Sequence, residues 1–283
     1  MARRALNGRV RRARRPGGGT LRMYGLLAWT WLRAAAQYPA SMVLLSLGTA
    51  VVTGLDLAAI ALMFAHAPRI AGFTAPEVMF LYATSGLSFA VADILLGTTE
   101  RLGQHIRLGT LDAMLVRPVS PLVQIATEDF SPRRFGKLIP TLAVLIMVLP
   151  RLDVSWTVFR ALLVVVMIVT GVAIFAALWV LTSSVQFVVL DGHQATKAVT
   201  YGGGFLTQYP LSMFGRDILR ALTFVVPLAF VNWEPTLYLL GRPDPLGLPA
   251  AVRFAAPLVA VLLCAAAALA WRTGLRHYRS TGS

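Results

Sequence analysis

The fold is decided by residues 158–190, which read VFRALLVVVMIVTGVAIFAALWVLTSSVQFVVL and contain one charged residue, Arg160. This run exceeds the roughly 20 apolar residues that a helix needs to cross the hydrocarbon core of a bilayer. The whole chain has the same character, since 57% of its residues are hydrophobic and 13% are charged, whereas soluble domains carry about 25% charged residues. The sequence therefore predicts an all-α membrane protein.

Apolar runs separated by polar segments predict six transmembrane helices within a single domain, residues 21–280. The predicted spans cover residues 40–64, 77–98, 138–149, 158–190, 218–231 and 254–271. The longest polar insert is 99–137. A glycine triplet at 202–204 predicts a flexible joint in the polar connection before the fifth span.

The segment before the first span divides into two parts. Residues 1–20 are rich in arginine, which predicts a disordered cytoplasmic tail attracted to anionic lipid headgroups. Residues 21–38 place apolar side chains at helical spacing, which predicts an amphipathic helix in the membrane interface. A plain helical lead-in to the first span is the alternative. The net charge of +14 would also suit nucleic acid, but no recognised binding module follows, so we expect lipids as partners and no nucleic acid.

The basic residues predict the orientation of the chain. With both termini in the cytoplasm, inner segments hold 21 of the 26 lysines and arginines and outer segments hold 5. Cytoplasmic loops of membrane proteins carry this excess of positive charge. We therefore expect cytoplasmic N and C termini.

Motifs for chemistry are missing from the sequence. The chain has no phosphate-binding loop of the G-x-x-x-x-G-K-[ST] form, and its four histidines and single cysteine, Cys264, follow no metal-ligand spacing. We expect no catalytic residue, no bound metal and no cofactor in this chain, which is therefore not expected to be an enzyme.

Two carboxylates lie within predicted spans. Asp56 and Asp93 would each cost a few kcal/mol if they faced lipid while ionised. They are expected to line a polar pathway or to form hydrogen bonds between helices, and the sequence leaves both readings open.

Residues 107–121, RLGTLDAMLVRPVSP, contain a predicted short cytoplasmic helix. Thr110 can cap it, Asp112 lies in its first turn, and Pro118 ends it. Apolar side chains at Leu111, Met114 and Leu115 predict one apolar face. A helix this short is unstable alone, so it needs a protein groove or, alternatively, a lipid surface.

Three motifs resemble the membrane subunits of type 2 ABC exporters, in the branch with six spans: GTLDAMLVRPVSP (109–121), FVVPLAFVNWEP (224–235) and LLGRPDPL (239–246). The resemblance covers roughly residues 20–280. It implies a multi-pass permease of the bacterial plasma membrane that exports a hydrophobic or amphipathic substrate. It also implies a second permease subunit, identical or homologous, and two separate ATPase subunits that bind ATP and Mg.

The resemblance assigns roles to two segments. The 109–118 helix would be the coupling helix that fits a cleft of the ATPase, through Gly109, Leu111, Asp112, Met114, Leu115, Arg117 and Pro118. Residues 232–253, beginning with Asn232, Trp233, Glu234 and Pro235, would re-enter the outer leaflet and cover the transport path. The residues alone also permit an ion-coupled secondary transporter or channel that needs no ATPase, or a membrane scaffold without transport activity.

Overall fold

The computed structural model describes residues 17–35, 37, 39–128, 134–189 and 192–279. The arginines predicted to form a basic tail, at positions 3–15, lie outside these ranges. Within them the chain is helical, with an isolated bridge between Ile70 and Phe73 and no β-strand. The predicted all-α class is confirmed.

Thirteen α-helices are described, some of them continued by short 3-10 or π-helical turns. They are α1 (Gly17–Ala35), α2 (Pro39–His66), α3 (Ala75–Leu96), α4 (Leu102–Arg107), α5 (Thr110–Val116), α6 (Pro121–Thr127), α7 (Phe135–Val148), α8 (Val158–Ser184), α9 (His193–Lys197), α10 (Gly203–Leu206), α11 (Arg216–Phe224), α12 (Trp233–Leu239) and α13 (Ala256–His277).

Four helical stretches in the described ranges are long and apolar enough to cross a membrane: Val43–His66, Ala75–Arg107, Val158–Phe187 and Ala256–His277. They contain α2, α3, α8 and α13 and match the first, second, fourth and sixth predicted spans. Their length and composition support a multi-pass membrane protein.

The two central helices, α3 and α8, pack closely along their length. At Gly171 a Cβ atom would lie 2.6 Å from the Ser88 hydroxyl oxygen, so only glycine permits this approach. The Ser88 hydroxyl donates a hydrogen bond to the Ile168 carbonyl at 3.2 Å. Small residues at such crossings are common between membrane helices because they let the backbones approach. Helices α2 and α13, in contrast, are mostly exposed.

The third predicted span corresponds to α7, which lies against α2 and α3. Its 14 residues are followed by a 3-10 turn at Leu149–Arg151. The rise of 1.5 Å per residue makes α7 about 21 Å long, shorter than a full bilayer core.

The fifth predicted span, residues 218–231, is not a continuous helix. Helix α11 ends at Phe224 and Pro227 interrupts the chain beyond it. The residues before the fifth predicted span were predicted to form a polar connection with a glycine joint. They instead form a helical run through α9, a π-helical turn at Ala198–Gly202, and α10. This run packs against α3 and α8, and Gly203 and Gly204 are buried in the contact.

Candidate functional site

Helix α5 occupies the position predicted for the short cytoplasmic helix. Gly109 precedes it with φ of +67°, a left-handed conformation that glycine adopts without strain. The helix stops at Arg117, whose backbone is extended before Pro118. The sequence predicted that Thr110 caps the helix. This prediction is wrong, because Thr110 is the first helical residue and Gly109 precedes the helix. The Thr110 hydroxyl lies 2.9 Å from His105 Nδ1 instead.

The predicted apolar face of α5 is divided between two sides of the helix. Leu111 is fully buried, in a cluster that includes Ile106, Ile125 and Trp271, and Met114 packs partly against the same cluster. Leu115 is 43% exposed and Val116 is 88% exposed. The protein itself supplies the groove for Leu111, and the other side of the helix is left open.

A buried glutamine that the sequence did not single out holds the end of α5. The side-chain amide of Gln124, on α6, donates hydrogen bonds to the carbonyl oxygens of Met114 and Val119, both at 2.9 Å. Its oxygen accepts a longer bond from Arg117 at 3.4 Å. Pro121 marks the start of α6 in the sequence, but nothing there shows that Gln124 faces α5.

His105 and Glu128 connect α4 to the end of α6. His105 Nε2 lies 2.7 Å from a Glu128 carboxylate oxygen, and the histidine side chain is 10% exposed. The other ring nitrogen faces Thr110. The imidazole therefore bridges three helices around the start of α5.

Two further contacts link this region to the rest of the chain. The Gln186 amide, at the end of α8, accepts a bond from the Gly103 N–H at 2.6 Å and donates to the Glu100 carbonyl at 3.1 Å. Near the C-terminus, burial and the neighbouring Asp112 carboxylate raise the pKa of the Tyr278 hydroxyl. Movement of α5 would thus be transmitted to α4, α8 and the C-terminal segment.

The two predicted intramembrane carboxylates are both placed between helices. Asp56, on α2, lies 3.3 Å from the Tyr82 hydroxyl, which donates to it. Asp93, on α3, lies 3.3 Å from Arg134. Both carboxylates attract the ammonium group of Lys137 at the start of α7. The structure therefore joins two residues that looked isolated in the sequence into one polar cluster between α2, α3 and α7.

The segment that begins at Asn232 is folded into the protein. The Asn232 amide donates to the carbonyls of Leu81 at 2.9 Å and Thr207 at 3.0 Å, and Trp233, Glu234 and Pro235 are buried. Leu81 is six residues into α3, about 9 Å along it at the α-helical rise. Helix α12 also contacts α8.

An ion pair between Arg242 and Glu77 connects the loop after α12 to the same helix, α3. Arg242 lies 2.7 Å from the Glu77 carboxylate at the start of α3, and its guanidinium stacks over the Phe73 ring at 4.1 Å from the centroid. Arg242 also donates to the Gly72 carbonyl at 3.0 Å. These contacts fix the loop after α12 to the start of α3.

The described residues contain no group of three His, Cys, Asp or Glu side chains that could hold a metal ion. A family model described as an ABC-2 family transporter protein matches residues 50–282, most of the chain. No curated protein and no solved structure matches the chain.

Proposed function

Because the chain belongs to the ABC-2 family of transporter proteins, we propose that it is the permease subunit of an ATP-binding cassette exporter. Its substrate is hydrophobic or amphipathic, and the energy comes from ATP hydrolysed with Mg by two separate partner subunits. The chain itself then needs no nucleotide site, in keeping with its lack of a phosphate-binding loop.

Helix α5 is the observation that best supports this proposal. One side of it is anchored in the chain through Leu111, and the other presents Leu115 and Val116, with Leu108 beside it at 75% exposure. Exposed apolar side chains on a short, anchored helix fit a groove in a partner protein. Closure of the ATPases on ATP would push α5, and its contacts would carry the motion to the membrane helices.

The proposed topology has six crossings with both termini in the cytoplasm. To the four long spans we add α7 and the run from α9 to α10, which replaces residues 218–231 as the fifth crossing. This places Arg216 and Arg220 on the outer side and still leaves most basic residues inside, as the positive-inside rule requires. Helix α1 would lie in the inner interface of the plasma membrane, where Trp29 and Trp31 are exposed.

Cysteine labelling tests this topology. Val116 and Val158 are both 88% exposed, and the native Cys264 is replaced first. A membrane-impermeant maleimide added to intact cells should label Val158→Cys and not Val116→Cys. The reverse pattern would invert the topology and remove α5 from any cytoplasmic ATPase.

A second permease subunit would cover the exposed faces of α2 and α13. On α2, Leu44 is 71% exposed and Leu55 and Leu62 are each 64% exposed. Apolar side chains are stable in contact with lipid, so these faces can bind a partner helix but do not require one. At the outer end, residues 232–253 would re-enter the membrane and cover the path.

Co-purification separates this proposal from its alternative. The chain isolated from its native membrane should carry a protein with ATP-binding cassette motifs, and the complex should hydrolyse ATP. An ion-coupled transporter or channel would instead move substrate when the chain alone is placed in liposomes. It would then require Asp56 or Asp93.

A further inference from the structure

A charged cavity lies between α2, α3, α7 and the π-helical turn at Ala198–Gly202. It has a volume of about 310 Å³ and is lined by Arg101, Arg134, Lys137, Asp93, Phe89 and Tyr201, among others. Its volume is at the lower end of the range for small-molecule sites, about 300–1,000 Å³. Asp93 and Arg101 lie in the second half of the Ala75–Arg107 stretch, and Arg134 and Lys137 lie at the start of α7. These are the ends that the proposed topology places at the inner leaflet.

The charges of the lining favour an anion. Three cations, Arg101, Arg134 and Lys137, face two carboxylates, Asp93 and Glu100. Arg134 is already paired with Asp93. Lys137 is attracted by nearby carboxylates, yet it has no hydrogen bond or ion pair within 4.0 Å in the described part of the chain. Its ammonium lies over the Phe89 ring, 4.7 Å from the centroid.

The same ring argues against a cationic ligand. An aromatic face attracts cations, but the face of Phe89 is already taken by Lys137. A bound cation would also meet a lining with one more positive than negative side chain. An anion would give Lys137 the charge-assisted partner that it lacks.

Two aromatic rings, Phe89 and Tyr201, also line the cavity. Phe89 packs against Tyr201 at 5.4 Å and against Trp179 at 4.9 Å between ring centroids. Tyr201 is 43% exposed. A charged end beside an aromatic wall suits a molecule with an anionic headgroup and an apolar body more than a small free anion.

We propose that this cavity binds the anionic headgroup of an amphiphile at the inner leaflet, with Lys137 as its direct cationic contact. The proposal rests on the proposed exporter function and adds to it that the headgroup of the substrate is negatively charged. Phosphate and carboxylate headgroups share the required chemistry.

Binding to the purified full chain in neutral detergent tests the proposal. The probes are radiolabelled decyl phosphate, with inorganic phosphate and decyltrimethylammonium as competitors. Lys137→Gln should weaken decyl phosphate binding about tenfold, the effect of losing one charge-assisted bond. Lys137→Arg keeps the charge and should retain binding within a few-fold.

The chain offers a matched control, because its only other lysine is Lys197 on α9. Lys197→Gln should bind decyl phosphate like the unmodified chain. If Lys137→Gln does not fold, Arg101→Gln weakens the same positive field from the end of the long α3 stretch and should lower the affinity severalfold.

Unchanged binding by Lys137→Gln would overturn the proposal. So would competition by decyltrimethylammonium equal to that of unlabelled decyl phosphate. Equal competition by inorganic phosphate would refute an amphiphile in favour of a free anion. The assay contains no ATPase, so its failure leaves the exporter function standing, and failure to find an ATPase leaves the binding result standing.

Discussion

The side-chain amide nitrogen of Gln124 lies 2.9 Å from the carbonyl oxygen of Met114, so that a residue of α6 caps the end of α5. The same nitrogen reaches the Val119 carbonyl. Short helices leave their last carbonyls without partners inside the helix. Gln124 supplies those partners and fixes the angle at which α5 leaves the protein.

Replacing Gln124 with leucine should loosen α5 while leaving the membrane helices intact. Loss of these bonds exposes two carbonyls and should cost about 1–3 kcal/mol locally. Hydrogen exchange of residues 110–117 should accelerate, with no change in α8. Gln104→Leu, on the exposed side of α4, is the control, and equal exchange in both variants would contradict the capping role.

Leucines on the two sides of α5 should have different roles. Leu111→Ala creates a cavity in a packed cluster and should destabilise the protein by about 2–5 kcal/mol. Leu115→Ala removes an exposed side chain, so it should preserve thermal stability while lowering ATP-driven transport severalfold. Stability is measured by size-exclusion after heating, and transport in vesicles. A Leu115→Ala variant with normal transport would exclude this side as the docking face.

Two glycines of the helical run from α9 to α10, Gly202 and Gly204, should respond oppositely to alanine. A Cβ atom at Gly204 would lie 2.6 Å from a ring carbon of Phe89, whereas one at Gly202 meets nothing within 4 Å. Phe89 is itself packed against Phe175 and Trp179, so it cannot move away. Gly204→Ala should cost about 1–3 kcal/mol.

Gly202→Ala is the matched control for that clash. It should leave stability unchanged or raise it slightly, because alanine favours helix over glycine. Heated detergent extracts of the two variants give the comparison. If Gly204→Ala were as stable as Gly202→Ala, the close packing of this run against α3 would be wrong.

Glu234, which is buried, and Glu77, which is half-buried, should respond oppositely to replacement by glutamine. Glu234 is 1% exposed, and neither of its carboxylate oxygens has a hydrogen-bond partner among the described residues. Glu77 is paired with Arg242. Glu234→Gln should maintain or increase stability, because burial raises the pKa of the Glu234 carboxyl to about 7 and glutamine removes the cost of ionising it without a hydrogen-bond partner. Glu77→Gln removes the carboxylate partner of Arg242 and should cost roughly 2–3 kcal/mol.

The melting temperatures of these two glutamine variants, measured in the same detergent, test the assignment. The variants change the same functional group, so general effects of the substitution cancel. A larger loss of stability for Glu234→Gln than for Glu77→Gln would show that Glu234 is the residue with the structural partner.

The sequence predicted those features that depend on local pattern. The run at 158–190 is apolar enough to identify α8 without any tertiary information. Gly109 and Pro118 bound α5 because each restricts its own backbone. The family resemblance implied that residues 232–253 re-enter the outer leaflet, but the burial of residues 232–235 was not predicted.

Features that depend on contacts between distant residues were missed. The helical run from α9 to α10 contains His193, Gln194 and Lys197, so its sequence resembles a loop. Its glycines resemble a flexible joint, because the sequence does not show that Leu228 and Phe89 pack against them. Spacing could not show which of Leu111 and Leu115 faces the protein. The convergence of Asp56 and Asp93 on Lys137 requires the packing of α2, α3 and α7.

Cross-linking can detect the proposed docking of α5 on an ATPase. The chain without Cys264 carries cysteine at Val116 or at Val158, and is isolated from its native membrane after treatment with a short photoactivatable thiol reagent. Val116→Cys should form a covalent adduct with a protein that contains ATP-binding cassette motifs, and Val158→Cys should not. An adduct from neither position, while the ATPase still co-purifies, would contradict docking through α5.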